Sequence, residues 1–122
     1  MHVDLTELLT EPHEIQRRRL ASILGQKSSC IIFNAVMTHR QAVDAALLRQ
    51  LRYFVDVKTA VDYHNRSESV TQRIMARSDS VAVWNEIYNQ YIPGIAAQVA
   101  AGDVPGAYTS IMAMLTQVES QY

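Results

Sequence analysis

The stretch THRQAVDAALLRQLRYFVDVKTAVDYHN, residues 38–65, decides the fold, because no glycine or proline interrupts it and its apolar residues recur at helical spacing. Thr38 with Gln41 three residues later has the form of a capping box, which opens a helix at Thr38. The reading carries it to Asn65 as one rod of about seven turns. Val43, Leu47, Leu51, Phe54, Val57 and Val61 fall on one arc, widened by Ala46, Leu48 and Val55. Arg49, Arg52, Asp56, Thr59 and Tyr63 take the opposite side. An apolar arc this broad needs at least two other helices, or a second copy of the chain, to cover it.

Working outward toward the N-terminus, residues 28–37 include the short β-branched run Cys30-Ile31-Ile32-Phe33. A lone strand there would leave its backbone groups unpaired, since the chain offers no second strand. The segment therefore reads as helix, capped by Ser28 or Ser29. Before it, Thr10 or Glu11 with Pro12 just inside begins a helix carrying Ile15, Leu20, Ile23 and Leu24, which Gly25 stops. Asp4 caps a first turn through Leu5, Leu8 and Leu9.

Toward the C-terminus, the polar run Asn65-Arg66-Ser67-Glu68-Ser69 reads as a connection, followed by a short helix over 70–77. A longer helix over 81–101 carries Trp84, Ile87, Tyr88, Tyr91, Ile95 and Val99 as its stripe, with Val81 and Ile92 at the edges. Pro93 and Gly94 predict a bend in it, or a break into two helices. Gly102 ends it, and Asp103 with Pro105 opens the last helix, whose Val104, Tyr108, Ile111, Met112, Leu115 and Val118 recur every three or four residues. So short a loop makes these two helices antiparallel neighbours. The predicted fold is all-α: an antiparallel bundle of four to five helices around a long central helix, in one domain over residues 1–122.

Composition agrees. The chain has 122 residues, 48% of them hydrophobic and 19% charged, and only four glycines and three prolines, too few turns for an all-β fold. Cys30 is the single cysteine, so no internal disulfide forms. The first residues lack the basic-then-apolar order of a signal peptide, and no apolar run reaches the roughly 20 residues that span a bilayer. The expected location is the cytoplasm, or the interior of a host cell for a viral protein.

The residues carry little catalytic chemistry. His2, His13, His39 and His64 do not pair at the spacing that puts two ligands on one helical face, and the glycines are too scattered to cradle phosphate. Cys30 heads an apolar run, where a thiol packs as a small hydrophobe. No metal, no cofactor and no enzymatic activity is expected.

Charge is uneven despite a net charge of −1: residues 15–52 hold seven basic residues and one acidic one. Arg17, Arg18, Arg19, Lys27 and Arg40 are the candidate site for an acidic partner or an anion. Residues 20–31, LASILGQKSSCI, resemble the core of a helix-turn-helix, which would imply DNA binding with the arginines on phosphates. The would-be reading helix departs from that pattern, since Asn34 is its one base-edge reader among Ile31, Ile32, Phe33, Val36 and Met37. Trp84, Tyr88, Tyr91, Tyr108 and Met112, residue types enriched at interfaces, are the candidate contact surface. Three functions follow from these features: a self-associating, non-enzymatic interaction or assembly module with a protein partner; a nucleic-acid binder; and a ligand-sensing bundle with a site between helices.

Overall fold

The computed structural model describes residues 2–24, 31–39 and 56–122. No strand occurs among the described residues, and the chain is an all-α bundle. Its described helices are α1 (Leu5–Leu9), α2 (His13–Leu24), α3 (Ile31–Thr38), α4 (Val57–Met75), α5 (Ser80–Ala100) and α6 (Val104–Gln121). The helix at the centre is α4, which packs against α2, α3, α5 and α6.

That centre is displaced from the expected one. Asp56 has extended backbone (φ −95°, ψ 113°), and its carboxylate accepts from the Lys58 N–H at 3.0 Å and the Thr59 hydroxyl at 2.7 Å. A helix therefore starts at Val57 instead of continuing through Asp56. It also passes straight through the polar run at 65–69, so the separate short helix over 70–77 does not exist. At the other end α3 stops at Thr38, followed by a turn in which the His39 N–H reaches the Ala35 carbonyl at 3.1 Å. Gln41 and the arc from Val43 to Val55 lie outside the described residues.

α4 buries polar residues beside its apolar ones. Ala60, Val61, Val70 and Ile74 share its interior with Tyr63, His64, Ser67 and Thr71. Tyr63, expected on the polar side, is inside. Ser67 accepts the backbone N–H of Ile31 at 3.2 Å, supplying from another helix the cap that α3 needs at its first residue. His64 Nε2 lies 3.4 Å from Glu68 Oε2, a pair at helical i, i+4 spacing that the histidine survey missed. Asn65 holds both backbone groups of Val3, accepting its N–H at 2.8 Å and donating to its carbonyl at 3.1 Å.

α3 is the most deeply placed short helix. Ile31, Ile32, Ala35 and Val36 are all buried, and its contact with α5 is the most extensive between any two described helices. The helical reading of Ile31 to Phe33 holds, while Cys30 and the Ser28 or Ser29 cap lie outside the described residues. Ile15, expected in the core, and Leu9 are exposed.

α5 and α6 form the expected antiparallel hairpin. Pro93 sits inside α5 without breaking it; both Pro93 and Asn89, whose carbonyl loses its helical partner, are on the exposed side. Gly102 adopts φ +77°, with the Gly102 N–H on the Val99 carbonyl and the Asp103 N–H on that of Gln98, the paired bonds of a Schellman cap. Asp103 then accepts from Gly106 N–H at 3.0 Å and opens α6. The far ends of the hairpin meet where Tyr122 donates to Glu86 at 2.9 Å. Arg66 ties α4 to α6 through Glu119 and Thr116 while holding Asp62 one turn away; its pairing with Glu119, followed by that with Asp62, pushes its pKa up.

Two outcomes follow. Gly94 lies in the body of α5, and a Cβ there meets nothing within 4 Å. Gly94→Ala should therefore raise the free energy of unfolding by about 0.5–1 kcal/mol in a urea titration, the helix-propensity difference between the two residues. Hydrogen bonds from Thr59 and Lys58 hold the Asp56 carboxyl below its ordinary 3.8, and Arg77 does the same for Asp79. With the folded pKa depressed, the unfolded chain binds more protons in acid. The stability these groups contribute is complete above 3.8 and lost as pH falls through the folded values. Melting temperature should hold through mild acid, then drop, and Asp56→Asn with Asp79→Asn should flatten that drop.

Candidate interaction surface

Two of the five basic candidates are paired within the chain. Arg18 bonds Glu14 one turn before it at 2.9 Å, and Arg19 pairs with Glu11 at the start of α2. Arg17 is exposed, with no such partner among the described residues. Lys27 and Arg40 lie outside the described residues. Of the three arginines of α2 the structure pairs two with neighbouring acids, and α3 turns Ile31, Ile32, Ala35 and Val36 to the interior.

The aromatic candidates divide by depth. Trp84 is 2% exposed and belongs to the interior, where its indole N–H donates to the Met75 sulfur at 3.4 Å. Tyr88, Tyr91, Tyr108 and Met112 are half-buried and pack against the core. Burial pushes the Tyr108 phenol above its ordinary pKa. Tyr91 lines a hollow of about 320 Å³ with Gln90, Gly94, Ile95, Gln98 and, across from α6, Ser110.

The more distinctive feature lies on the other flank of α5. Thr38 and His39, at the end of α3, face Val81, Asn85 and Asn89 across a hollow of about 410 Å³. His39 stacks on Tyr88, ring centroids 3.9 Å apart and planes 11° from parallel, so the imidazole is held by its face. Its Nδ1 is buried without a hydrogen-bond partner, and so is Oδ1 of Asn85. At the mouth stands Val81, 61% exposed. An exposed valine beside two unanswered polar atoms is the reverse of what a free surface favours: apolar area lies in water while hydrogen-bonding groups are kept from it.

Sequence reasoning found Tyr88 and placed Val81 at the edge of its stripe, but missed His39, Asn85 and Asn89. The available signal was the spacing of Val81, Asn85 and Asn89, four residues apart along one line of α5. Nothing in the sequence announced that the end of α3 would lie opposite that line.

The large apolar residues exposed elsewhere are Met75 at 59%, Met37 at 48%, and Leu9 and Ile15 around the α1–α2 junction. Among the described residues no three His, Cys, Asp or Glu side chains gather as a metal site, and no helix is long and apolar enough to cross a membrane. Compared with known proteins, the chain matches no family model, no curated protein and no solved structure.

Proposed function

We propose that this chain is a non-enzymatic helical interaction and assembly module that self-associates through the groove between α3 and α5. The observation that supports this reading is Val81, in water, at the mouth of a hollow where His39 Nδ1 and Asn85 Oδ1 lack partners. A buried polar atom left unanswered costs about 1–3 kcal/mol, and covering an exposed aliphatic side chain is favourable by a similar amount. A docked protein surface covers the valine and answers the polar groups that reach the surface of the hollow.

A second copy is the occupant that needs least else. A two-fold contact sets one patch against itself, and the Asn85 amide nitrogen with the exposed Asn89 carboxamide offers donors and an acceptor that can satisfy those of the second copy. The half-buried Tyr88 beneath the groove supplies the rigid aromatic backing typical of interface centres.

A ligand-sensing bundle is favoured by one feature of the same hollow, the convergence of Thr38, His39, Asn85 and Asn89 on it. The two readings part at Val81. A small ligand held by polar groups keeps its contacts when Val81 is changed, whereas a protein interface loses its apolar contact.

Sedimentation equilibrium over a wide concentration range tests the proposal. The mass of the wild-type chain should rise with concentration toward that of a dimer, and Val81→Asp should remain monomeric with an unchanged helical spectrum. Asn85→Leu should separate stability from association: removing the unanswered acceptor raises unfolding free energy by about 1 kcal/mol, while the dimer weakens. A wild-type chain that stays monomeric at every concentration sinks the self-association reading.

A further inference from the structure

We propose that Met75 is a site of reversible oxidation by hydroperoxides, and that Trp84 reads its state. Two independent features meet there. Met75 is 59% exposed at the last residue of α4, so its side chain stands at the surface, where hydroperoxides are met. The same sulfur is the acceptor for the indole N–H of Trp84, 3.4 Å away, on a side chain otherwise enclosed in the core. The corner between α4 and α5 is thus latched by a hydrogen bond whose acceptor is chemically changeable.

The chemistry is a two-electron transfer of one oxygen. A sulfur lone pair attacks the distal oxygen of the hydroperoxide, the O–O bond breaks as the S–O bond forms, and the departing oxygen takes the proton and leaves as water or an alcohol. Sulfur is oxidised and the peroxide reduced. A methionine sulfoxide reductase reverses it, two thiols supplying the electrons and ending as a disulfide while the oxygen departs as water.

The consequence at Met75 differs from that at a core methionine. A thioether is a weak acceptor, whereas the sulfoxide oxygen is a strong one. At this surface position the new oxygen need not enter the packed interior, and the flexible, unbranched side chain can swing to offer it to the indole. Oxidation therefore tightens the latch. Met114, at 0% exposure, would instead have to accept a polar oxygen within the packed interior. The inference requires no self-association, since its readout is the indole itself.

Trp84 is the sole tryptophan of the chain, so an amide proton–nitrogen spectrum contains a single indole resonance. The full chain is treated with dilute hydrogen peroxide, then followed by that spectrum and by peptide mass. The Met75 peptide should gain one oxygen while the peptide holding Met112 and Met114 stays unmodified. The indole resonance should move downfield on the same time course, and a reductase with dithiothreitol should return both. In Met75→Leu the indole should not respond to peroxide, although Met37, 48% exposed, is still oxidised. An indole resonance that stays in place while Met75 is fully oxidised overturns the proposal, as does oxidation at Met112 or Met114 ahead of Met75. The wild-type time course decides the matter even if the leucine variant does not fold.

Discussion

The hydroxyl of Ser67, fully buried halfway along α4, accepts the first backbone N–H of α3 at 3.2 Å, and this bond embodies the constraint under which the bundle is built. A helix covered from several sides must have each polar group it carries inward answered, because a buried group without a partner costs about 1–3 kcal/mol. α4 answers three of its groups by recruiting other parts of the chain, while Thr71 Oγ1 is buried without a partner among the described residues. Ser67 receives α3, Asn65 receives Val3 through both of its backbone groups, and Arg66 receives α6 through Glu119 and Thr116. Three successive residues thus fasten three separate segments. The polar run acts as the hub of the packing, and α3, too short to be a stable helix alone, exists because that hub completes it.

This is also where local reading stops. The last two helices were legible almost to the residue, since Gly102 with its positive φ, the Asp103 cap and the spacing of Ile111, Leu115 and Val118 are short-range effects. Asp4 as the cap of α1 was legible for the same reason. Asn65 to Ser69 was not, because polarity suggests a linker to any analysis by sequence alone, and only the groups from distant segments make it interior. Asp56 failed differently. Its position suits the polar face of a continuous helix as well as it suits an N-cap, and helical periodicity cannot separate the two when apolar residues flank it on both sides.

The candidate surface was legible to a smaller degree. A stripe of aromatic residues says that a helix has an apolar face, but depth depends on neighbours, so Trp84 went inside while Tyr88 stayed at the margin. The groove itself joins Thr38 and His39 to residues more than forty positions later, and no local pattern encodes that meeting. Charge counted within one window is partial in the same way. Counting arginines predicts a positive field, yet Arg18 and Arg19 are answered by Glu14 and Glu11, acids that lie just outside the window in which the excess was counted. Such exposed pairs are worth roughly 0–1 kcal/mol, so they add little to stability while offsetting two of the seven cations counted.

What remains is why the irregular features collect on α5. That helix carries Pro93 and Gly94 in its body, a hollow on each flank, and an unanswered side-chain acceptor beside each hollow, Asn85 Oδ1 on one and Gln98 Oε1 on the other. Each feature is unfavourable for a helix judged on folding alone: glycine and proline lower helix propensity, and the buried acceptors forgo hydrogen bonds. α4 and α6 show that this chain can build long helices without a proline or glycine in mid-helix. Several such departures gathered along one helix, where the other described segments show single ones, are the pattern expected where a surface is shaped for contact rather than for stability. On the proposed reading α5 carries the docking face, and α4, which fastens Val3, α6 and α3 through Asn65, Arg66 and Ser67, is the scaffold beneath it.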